Sequence, residues 1–166
     1  MKRLVRFVVW MIASAVIRAI GVDPMTDHPI ADRQTQLPFP MPIVVLAAVV
    51  ERDDAFLLTR RLKGTHLAGT WESPGGKCES GESHEECLRR ELVEELGVDA
   101  TIGDEIYNVT HAYAERTVEL HFRRCMLLGE PSPQIGQEMR WVPRADLASL
   151  EFPEADRELI DLLRAS

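Results

Sequence analysis

Three glutamates, Glu91, Glu94 and Glu95, are spaced so that they could hold a metal ion together. Residues three and four positions apart are neighbours on a helix surface, so like charges at this spacing repel one another and weaken the helix. A cation would relieve that repulsion, and carboxylate oxygens are the ligands that Mg²⁺ and Mn²⁺ prefer. The alternative is an acidic helix face in contact with solvent, which is the usual place for a run of charges.

The flanking residues predict the helix that carries these glutamates. Ser83 and Glu86 have the S-x-x-E spacing of a capping box, which predicts that the helix begins at Ser83. Gly97 predicts its end, because glycine readily takes the left-handed conformation that closes a helix. The expected apolar stripe consists of Leu88, Leu92 and Leu96. The glutamates are predicted to lie roughly opposite this stripe and to face a cleft.

The stretch from Gly76 to Val98 resembles the Nudix box, whose pattern is G-x5-E-x7-R-E-U-x-E-E-x-G-U with U an aliphatic residue. All of its fixed positions match, namely Gly76, Glu82, Arg90, Glu91, Leu92, Glu94, Glu95, Gly97 and Val98. A solvated acidic helix face explains neither the glycines at both ends nor Arg90. The resemblance implies an α/β fold, the Nudix fold, in which a mixed β-sheet is sandwiched between α-helices.

The same resemblance implies a hydrolase that depends on Mg²⁺, with Mn²⁺ as an alternative. The metal ligands that it implies are Gly76, through its carbonyl group, and Glu82, Glu91, Glu94 and Glu95. Arg90 joins the last three glutamates as a catalytic residue, because it is expected to pair with a carboxylate of the box and to fix its direction. Gly75 and Lys77 are expected to shape the loop that receives the substrate.

Two further segments resemble MutT-type members of the family. Thr59-Arg60-Arg61 matches a strand ending T-R-R, which implies that Arg61 contacts a phosphate or the base. The segment from Phe152 to Asp156 resembles the nucleobase-binding end, where an asparagine often stands at the last position. An ionised aspartate only accepts hydrogen bonds, so it prefers N–H groups such as cytosine N4, adenine N6 or the N7–H of 8-oxoguanine. A charge in the first turn of a helix is the alternative interpretation of Asp156.

These matches predict hydrolysis of nucleoside triphosphates to a monophosphate and pyrophosphate, with 8-oxo-dGTP as the first substrate and cytidine nucleotides as the second. Two alternatives stay open: the same chemistry on a dinucleotide or nucleotide sugar, and a nucleotide-sensing domain without catalysis. The general base is also open. Ile135 stands where MutT-type enzymes tend to carry a further glutamate, and Glu138 is the nearest substitute.

The composition sets the domain organisation and the class of partner. The net charge of −8 over 166 residues argues against binding a nucleic-acid polymer but not a single nucleotide with its metal. Residues 1–41 are predicted to be an apolar extension followed by a proline-rich linker, and residues 42–166 a Nudix hydrolase domain. The extension resembles a signal peptide, but an upstream start site or an amphipathic membrane-surface helix explains it equally. We expect a cytoplasmic protein with three reduced cysteines, either monomer or homodimer.

The hydrophobic pattern predicts the elements that position the site. Ile43–Val50 is typical of a strand buried on both faces, and Asp53-Asp54 predicts a turn into a second strand that ends at Arg60. The later strands are expected over 100–102, 105–113, 117–128 and 139–142. A final helix over 154–165, with Pro153 as its first residue, should bury Ala155, Leu159, Leu162 and Leu163.

Overall fold

The computed structural model describes residues 41–114 and 116–166. Its elements are β1 (Ile43–Arg52), β2 (Ala55–Arg60), β3 (Trp71–Glu72), β4 (Gly75–Lys77), α1 (His84–Leu96), β5 (Ala100–Ala112), β6 (Thr117–Leu127), β7 (Met139–Pro143) and α2 (Arg157–Ala165). Two 3₁₀ helices, Arg144–Ser149 and Glu154–Asp156, precede α2. The extension and linker predicted over 1–41 lie outside the described residues except for Met41. Within the described residues, no helix is long and apolar enough to cross a membrane.

The strands form one seven-stranded mixed sheet. Its main path runs β3-β2-β1-β6-β5, while β4 pairs with β1 and β7 pairs with β2. The central pair, β1 and β6, is parallel, and the other strand pairs are antiparallel. The prediction of a mixed sheet is therefore confirmed.

The central strand β1 is buried on both faces because its aliphatic side chains alternate between two core clusters. Leu46, Ala48 and Val50 pack with the leucines of α1 on one side of the sheet. Ala47 and Val49 pack with residues of α2 and of the preceding 3₁₀ helix on the other side. The sheet therefore lies between helices, as the sequence predicts.

Three details of the predicted elements are wrong. The segments 100–102 and 105–113 form one strand, β5, whose register against β6 shifts on both sides of Glu105. Pro153 does not begin the final α-helix but precedes a 3₁₀ turn, and α2 starts at Arg157. Leu162 is 44% exposed, because α2 packs on the core through Leu159, Ile160 and Leu163 instead.

Candidate active site

Local signals fix both ends of α1. The Ser83 hydroxyl accepts a hydrogen bond from the Glu86 backbone N–H at 3.3 Å, and the Glu86 carboxylate accepts one from the Ser83 N–H at 2.9 Å. Gly97 closes the helix with a φ of 65°. The three leucines of the stripe, Leu88, Leu92 and Leu96, are fully buried. The helix predicted from capping and periodicity is thus confirmed.

The glutamates of the box do not share one environment. The Glu94 side chain is 60% exposed, whereas that of Glu91 is 14% exposed and Glu95 is half-buried. The expectation that all three lie opposite the leucine stripe holds for Glu94 but is wrong for Glu95. At ~100° per residue, Glu95 lies only about 60° from the centre of the stripe, so its carboxylate is carried along the edge of the core.

Two glycines of the Pro74-Gly75-Gly76 loop let β4 approach these glutamates. The Gly75 N–H donates to Glu95 Oε2 at 3.2 Å, and a Cβ added to Gly75 would lie 2.1 Å from the Leu46 carbonyl oxygen. A Cβ added to Gly76 would lie 2.5 Å from the Glu91 carboxyl carbon. Close contact with backbone therefore requires glycine at position 75, whereas a Cβ at position 76 would displace the Glu91 carboxylate, and the loop backbone borders the carboxylates.

Arg90 ties the two ends of the box together. Its Nε and Nη2 donate to the two carboxylate oxygens of Glu82 at 2.7 and 2.9 Å, and its Nη1 donates to Glu91 Oε1 at 2.8 Å. Nη2 also donates to the Lys77 carbonyl oxygen at 3.1 Å. The Arg90 guanidinium lowers the pKa of Glu82 to about 2. Both Glu82 carboxylate oxygens therefore accept hydrogen bonds from Arg90. Lys77 contributes its backbone carbonyl group to this network.

The remaining carboxylates are crowded and lack compensating charge. Burial, followed by repulsion from Glu72, raises the pKa of Glu95 to about 8. Burial also raises the pKa of Glu91 against the pull of Arg90, and the pKa of Glu72 against the pull of Arg61. Hard oxygen donors with too little positive charge among them fit a divalent cation, which would stabilise their ionised forms.

The three box glutamates are close but not gathered around one point. Among residues 41–114 and 116–166, two groups bring three ligand atoms within 4.8 Å of one another, Cys78–Glu82–Cys87 and His84–Glu105–His121, and neither includes the Glu91 set. Arg90 Nη1 lies 2.8 Å from Glu91 Oε1 and 3.5 Å from Glu94 Oε2, so the guanidinium group pairs with two of the three glutamates.

Glu72 is the residue that the sequence analysis missed at this site. Its carboxylate accepts a short hydrogen bond from Arg61 Nη1, and Arg61 Nε donates to the His66 carbonyl oxygen at 2.7 Å. Trp71, its neighbour on β3, is buried in the core cluster on the α2 side. Since successive strand residues point to opposite faces, the buried Trp71 is the sequence signal that could have placed Glu72 toward the cleft.

Asp156 is close enough to the Arg61–Glu72 pair to interact electrostatically with both residues. It is 5% exposed, and its side chain makes no capping hydrogen bond to α2. Burial, followed by repulsion from Glu72, raises its pKa to about 7, while Arg61 opposes the rise. Burial and the nearby Asp156 charge likewise raise the pKa of Tyr113. Phe152 packs half-buried against the core on the α2 side. A buried carboxyl without a capping bond favours ligand recognition over a helix-end charge.

Glu138, the nearest substitute for the missing glutamate, does not stand out as a base, and Ile135 at the expected position has no ionisable group. Ile135 is 49% exposed. Glu138 pairs with Arg140 and with Arg60, and these two arginines hold its pKa below the ordinary value. The buried loop residue is Gln137, whose Nε2 donates to the Glu95 carbonyl oxygen at 2.8 Å and so supports the end of α1. A buried glutamine in a polar loop carries no sequence signal that distinguishes it from a solvated one.

Comparison with known proteins decides the family. A family model described as the NUDIX domain matches residues 45–162, which include α1, most of β1 and of α2, and all of the other strands. The chain belongs to the Nudix family. It is a Nudix hydrolase, an enzyme of the class that cleaves phosphorus-containing acid anhydrides, and members of this family generally use a divalent metal.

The names of the relatives of this Nudix hydrolase include two different substrates, 8-oxo-dGTP and CTP. It is 35% identical over 124 residues to the 8-oxo-dGTP diphosphatase of Haemophilus influenzae, covering 73% of this chain and 91% of that protein. It is 43% identical over 79 residues to the CTP pyrophosphohydrolase of Escherichia coli, covering 48% and 58%. Among solved structures, the MutT Nudix hydrolase from Burkholderia pseudomallei is 28% identical with a TM-score of 0.67, covering 73% and 97%.

Proposed function

We propose that this Nudix hydrolase converts nucleoside triphosphates to a nucleoside monophosphate and pyrophosphate, with 8-oxo-dGTP as its first substrate. The observation that carries the proposal is that Glu95 and Asp156 both interact with one ion pair, Arg61–Glu72. Glu95 interacts electrostatically with both Arg61 and Glu72, and so does Asp156. The carboxylates suited to a metal–phosphate complex and the carboxyl suited to a base therefore border the same cleft.

The proposed cofactor is Mg²⁺, with Mn²⁺ as a substitute, and its oxygen ligands are drawn from Glu91, Glu94, Glu95, Glu82 and the Gly76 carbonyl. When bound, the cation neutralises the triphosphate and makes the attacking water more acidic. Arg90 acts as a positioning residue that directs Glu82 and Glu91. The Gly75 N–H orients Glu95. Because Arg90 engages both Glu82 oxygens, we assign Glu82 to the outer part of the site.

Asp156 supplies the proposed base selectivity. With a pKa of about 7, its carboxyl is available in the neutral form, which has one O–H donor and one C=O acceptor. The neutral carboxyl can accept from the N7–H of 8-oxoguanine and donate to its O6. Unmodified guanine presents acceptors at both N7 and O6, so it leaves the C=O of this carboxyl facing an acceptor. Leaving a buried polar group unpaired costs about 1–3 kcal/mol, which disfavours guanine.

Cytidine triphosphate is the second candidate, because the same carboxyl fits the cytosine edge. Its C=O can accept from the N4 amino group while its O–H donates to N3. The relative named CTP pyrophosphohydrolase supports this candidate, although that similarity covers 48% of the chain. Two further residues complete the proposed substrate contacts. Arg61 contacts a phosphate or the base edge, and Phe152 contacts the substrate through its apolar ring. The loop backbone at Gly75 and Lys77 borders the phosphates.

A nucleotide panel with Mg²⁺ tests the proposal. The expected result is release of monophosphate and pyrophosphate, with kcat/KM highest for 8-oxo-dGTP, then CTP, and lowest for dGTP. Asp156→Asn keeps one donor and one acceptor and should retain the preference, whereas Asp156→Ala should lose it. Equal rates for 8-oxo-dGTP and dGTP contradict the base assignment. Nucleotide binding without turnover indicates a sensing domain instead, and turnover of ADP-ribose alone indicates the nucleotide-sugar class.

The proposal includes a cytoplasmic enzyme, either monomer or homodimer, that takes single nucleotides and no nucleic-acid polymer. Its net charge of −8 supports the last point. We further propose that the catalytic domain comprises residues 42–166 and that residues 1–41 are dispensable for it. A chain that starts at Met41 should stay folded and keep its kcat/KM; loss of either property contradicts this boundary.

A further inference from the structure

We propose a second metal site, suited to Zn²⁺, formed by His84, Glu105 and His121. One ligand atom from each of the three residues lies within 4.8 Å of the others. The residues come from three elements, the first turn of α1, the bulged part of β5 and the middle of β6. A bound ion would therefore link the beginning of the Nudix helix to the β5–β6 pair.

The separations are small enough for coordination after side-chain rotation alone. His121 Nδ1 lies 2.6 Å from Glu105 Oε2, and the rings of His84 and His121 are 4.5 Å apart between centroids at an angle of 52°. Tetrahedral zinc with bonds of about 2.0–2.1 Å separates its ligand atoms by roughly 3.3 Å. The widest pair is at most 4.8 Å apart and therefore needs to close by about 1.5 Å or less, and the Glu105 side chain is 34% exposed.

The surrounding hydrogen bonds have the pattern expected around a metal-bound histidine. His121 Nε2 lies 3.1 Å from Glu119 Oε1, so Glu119 can accept the proton on that nitrogen and leave Nδ1 for a metal. A carboxylate that fixes the free nitrogen in this way is a common partner of zinc-binding histidines. Asn108 Nδ2 donates to Glu105 Oε1 at 2.6 Å, which directs the other Glu105 oxygen toward His121.

The backbone at Glu105 shows why the three residues meet. The register between β5 and β6 shifts before and after Glu105, so this residue lies in an irregular stretch of the strand pair. Bulges commonly redirect a side chain, and here the redirected carboxylate faces His121. His121 is only 9% exposed, and its ring is held between the Glu105 and Glu119 carboxylates.

The donor set selects the metal. Two imidazoles and a carboxylate match zinc, whereas Mg²⁺ favours oxygen ligands in an octahedron, so the two metals would not compete for one site. Glu105 and Glu119 offset the positive end of the α1 dipole, which alone would repel a cation. The Cys78–Glu82–Cys87 group is the weaker candidate. Burial raises the pKa of both thiols, and the thiolate is the metal ligand.

Equilibrium dialysis of the full chain without an affinity tag, against Zn²⁺ in excess Mg²⁺, tests the site. The parent protein should retain one zinc per chain, and zinc should raise its unfolding temperature. His84→Asn and Glu105→Gln, on separate elements, should each weaken zinc binding at least tenfold, while His111→Asn on the same β5 strand serves as the control. Circular dichroism checks that each variant is folded. If His84→Asn unfolds, the zinc affinity of Glu105→Gln alone tests the site.

Cobalt substitution identifies the ligands directly. Co²⁺ bound by imidazole and carboxylate shows visible ligand-field bands without the strong near-ultraviolet absorption that thiolate ligands produce. Those bands should disappear in His84→Asn and persist in Cys78→Ser. Three outcomes overturn the proposal: no zinc retained by the parent, binding unchanged in both His84→Asn and Glu105→Gln, or thiolate absorption that is lost in Cys78→Ser.

Discussion

The clearest quantitative prediction concerns the buried carboxyl of Asp156. Burial and the neighbouring Glu72 raise its pKa from an ordinary value of 3.8 to about 7. The native state therefore holds a proton that the unfolded chain has already released between about pH 4 and pH 7. The free energy of unfolding should fall as pH rises through this window and stay lowered above it. At 1.36 kcal/mol for each pKa unit, the full effect is about 4 kcal/mol.

Asp156→Asn removes this titration while keeping the shape of the side chain. The variant should unfold with a free energy up to about 4 kcal/mol higher than the parent at about pH 8, and close to that of the parent at about pH 4. Urea unfolding at several pH values, with a chelator present to remove metal, measures the difference. Using the difference between variant and parent cancels the contributions of Glu95 and Glu72, whose raised pKa values act in the same direction.

Asp161→Asn is the matched control, because Asp161 lies on α2 and its side chain is 67% exposed. Its difference from the parent should stay flat across the pH range, since an exposed charge contributes little. A gap between Asp156→Asn and the parent that is equally large at about pH 4 and about pH 8 refutes the reasoning. So does a variant that is less stable than the parent at the higher pH.

Two further substitutions probe the box itself. Arg90→Gln should weaken Mg²⁺ and Mn²⁺ binding by about 10–100-fold in calorimetry, because Arg90 directs the Glu82 and Glu91 carboxylates. Arg89→Gln is its control: it loses only the exposed pair with Asp99 and should bind metal as the parent does. Gly76→Ala should weaken Mn²⁺ binding about tenfold with little change in unfolding temperature, because its Cβ would displace the flexible end of Glu91. Gly129→Ala is its control, with only a 3.4 Å contact to Val98. Unchanged metal affinity in either test variant contradicts the assigned positions.

Local sequence signals predict α1 and the hairpin fully. The capping box, the leucine stripe and Gly97 act within one helix, so no tertiary contact is needed to interpret them. The Asp53–Asp54 turn is similar, since both residues have the positive φ angles that a tight hairpin requires. These elements carry the box, which explains why its position follows from the sequence.

The environments of the side chains are less accessible to sequence reasoning because they arise from distant elements. The pKa of Asp156 depends on Glu72 of β3, and Glu72 pairs with Arg61 across a loop. Gly103 and Asp104 predict a break in the chain before Glu105, but pairing with β6 keeps β5 continuous there, with a shift in register instead of a break. Glu95 was predicted to lie opposite the leucine stripe, although helical spacing of ~100° per residue already puts it beside the stripe.

The location of the catalytic cation is the central claim. Crystals grown with Mn²⁺ and a non-hydrolysable 8-oxo-dGTP analogue, measured at the manganese absorption edge, give it directly. We predict anomalous density within coordination distance of Glu94, Glu95 and the triphosphate, with Arg90 still holding Glu82 beside it. Manganese density bound to the triphosphate but away from every glutamate of α1 would contradict the account.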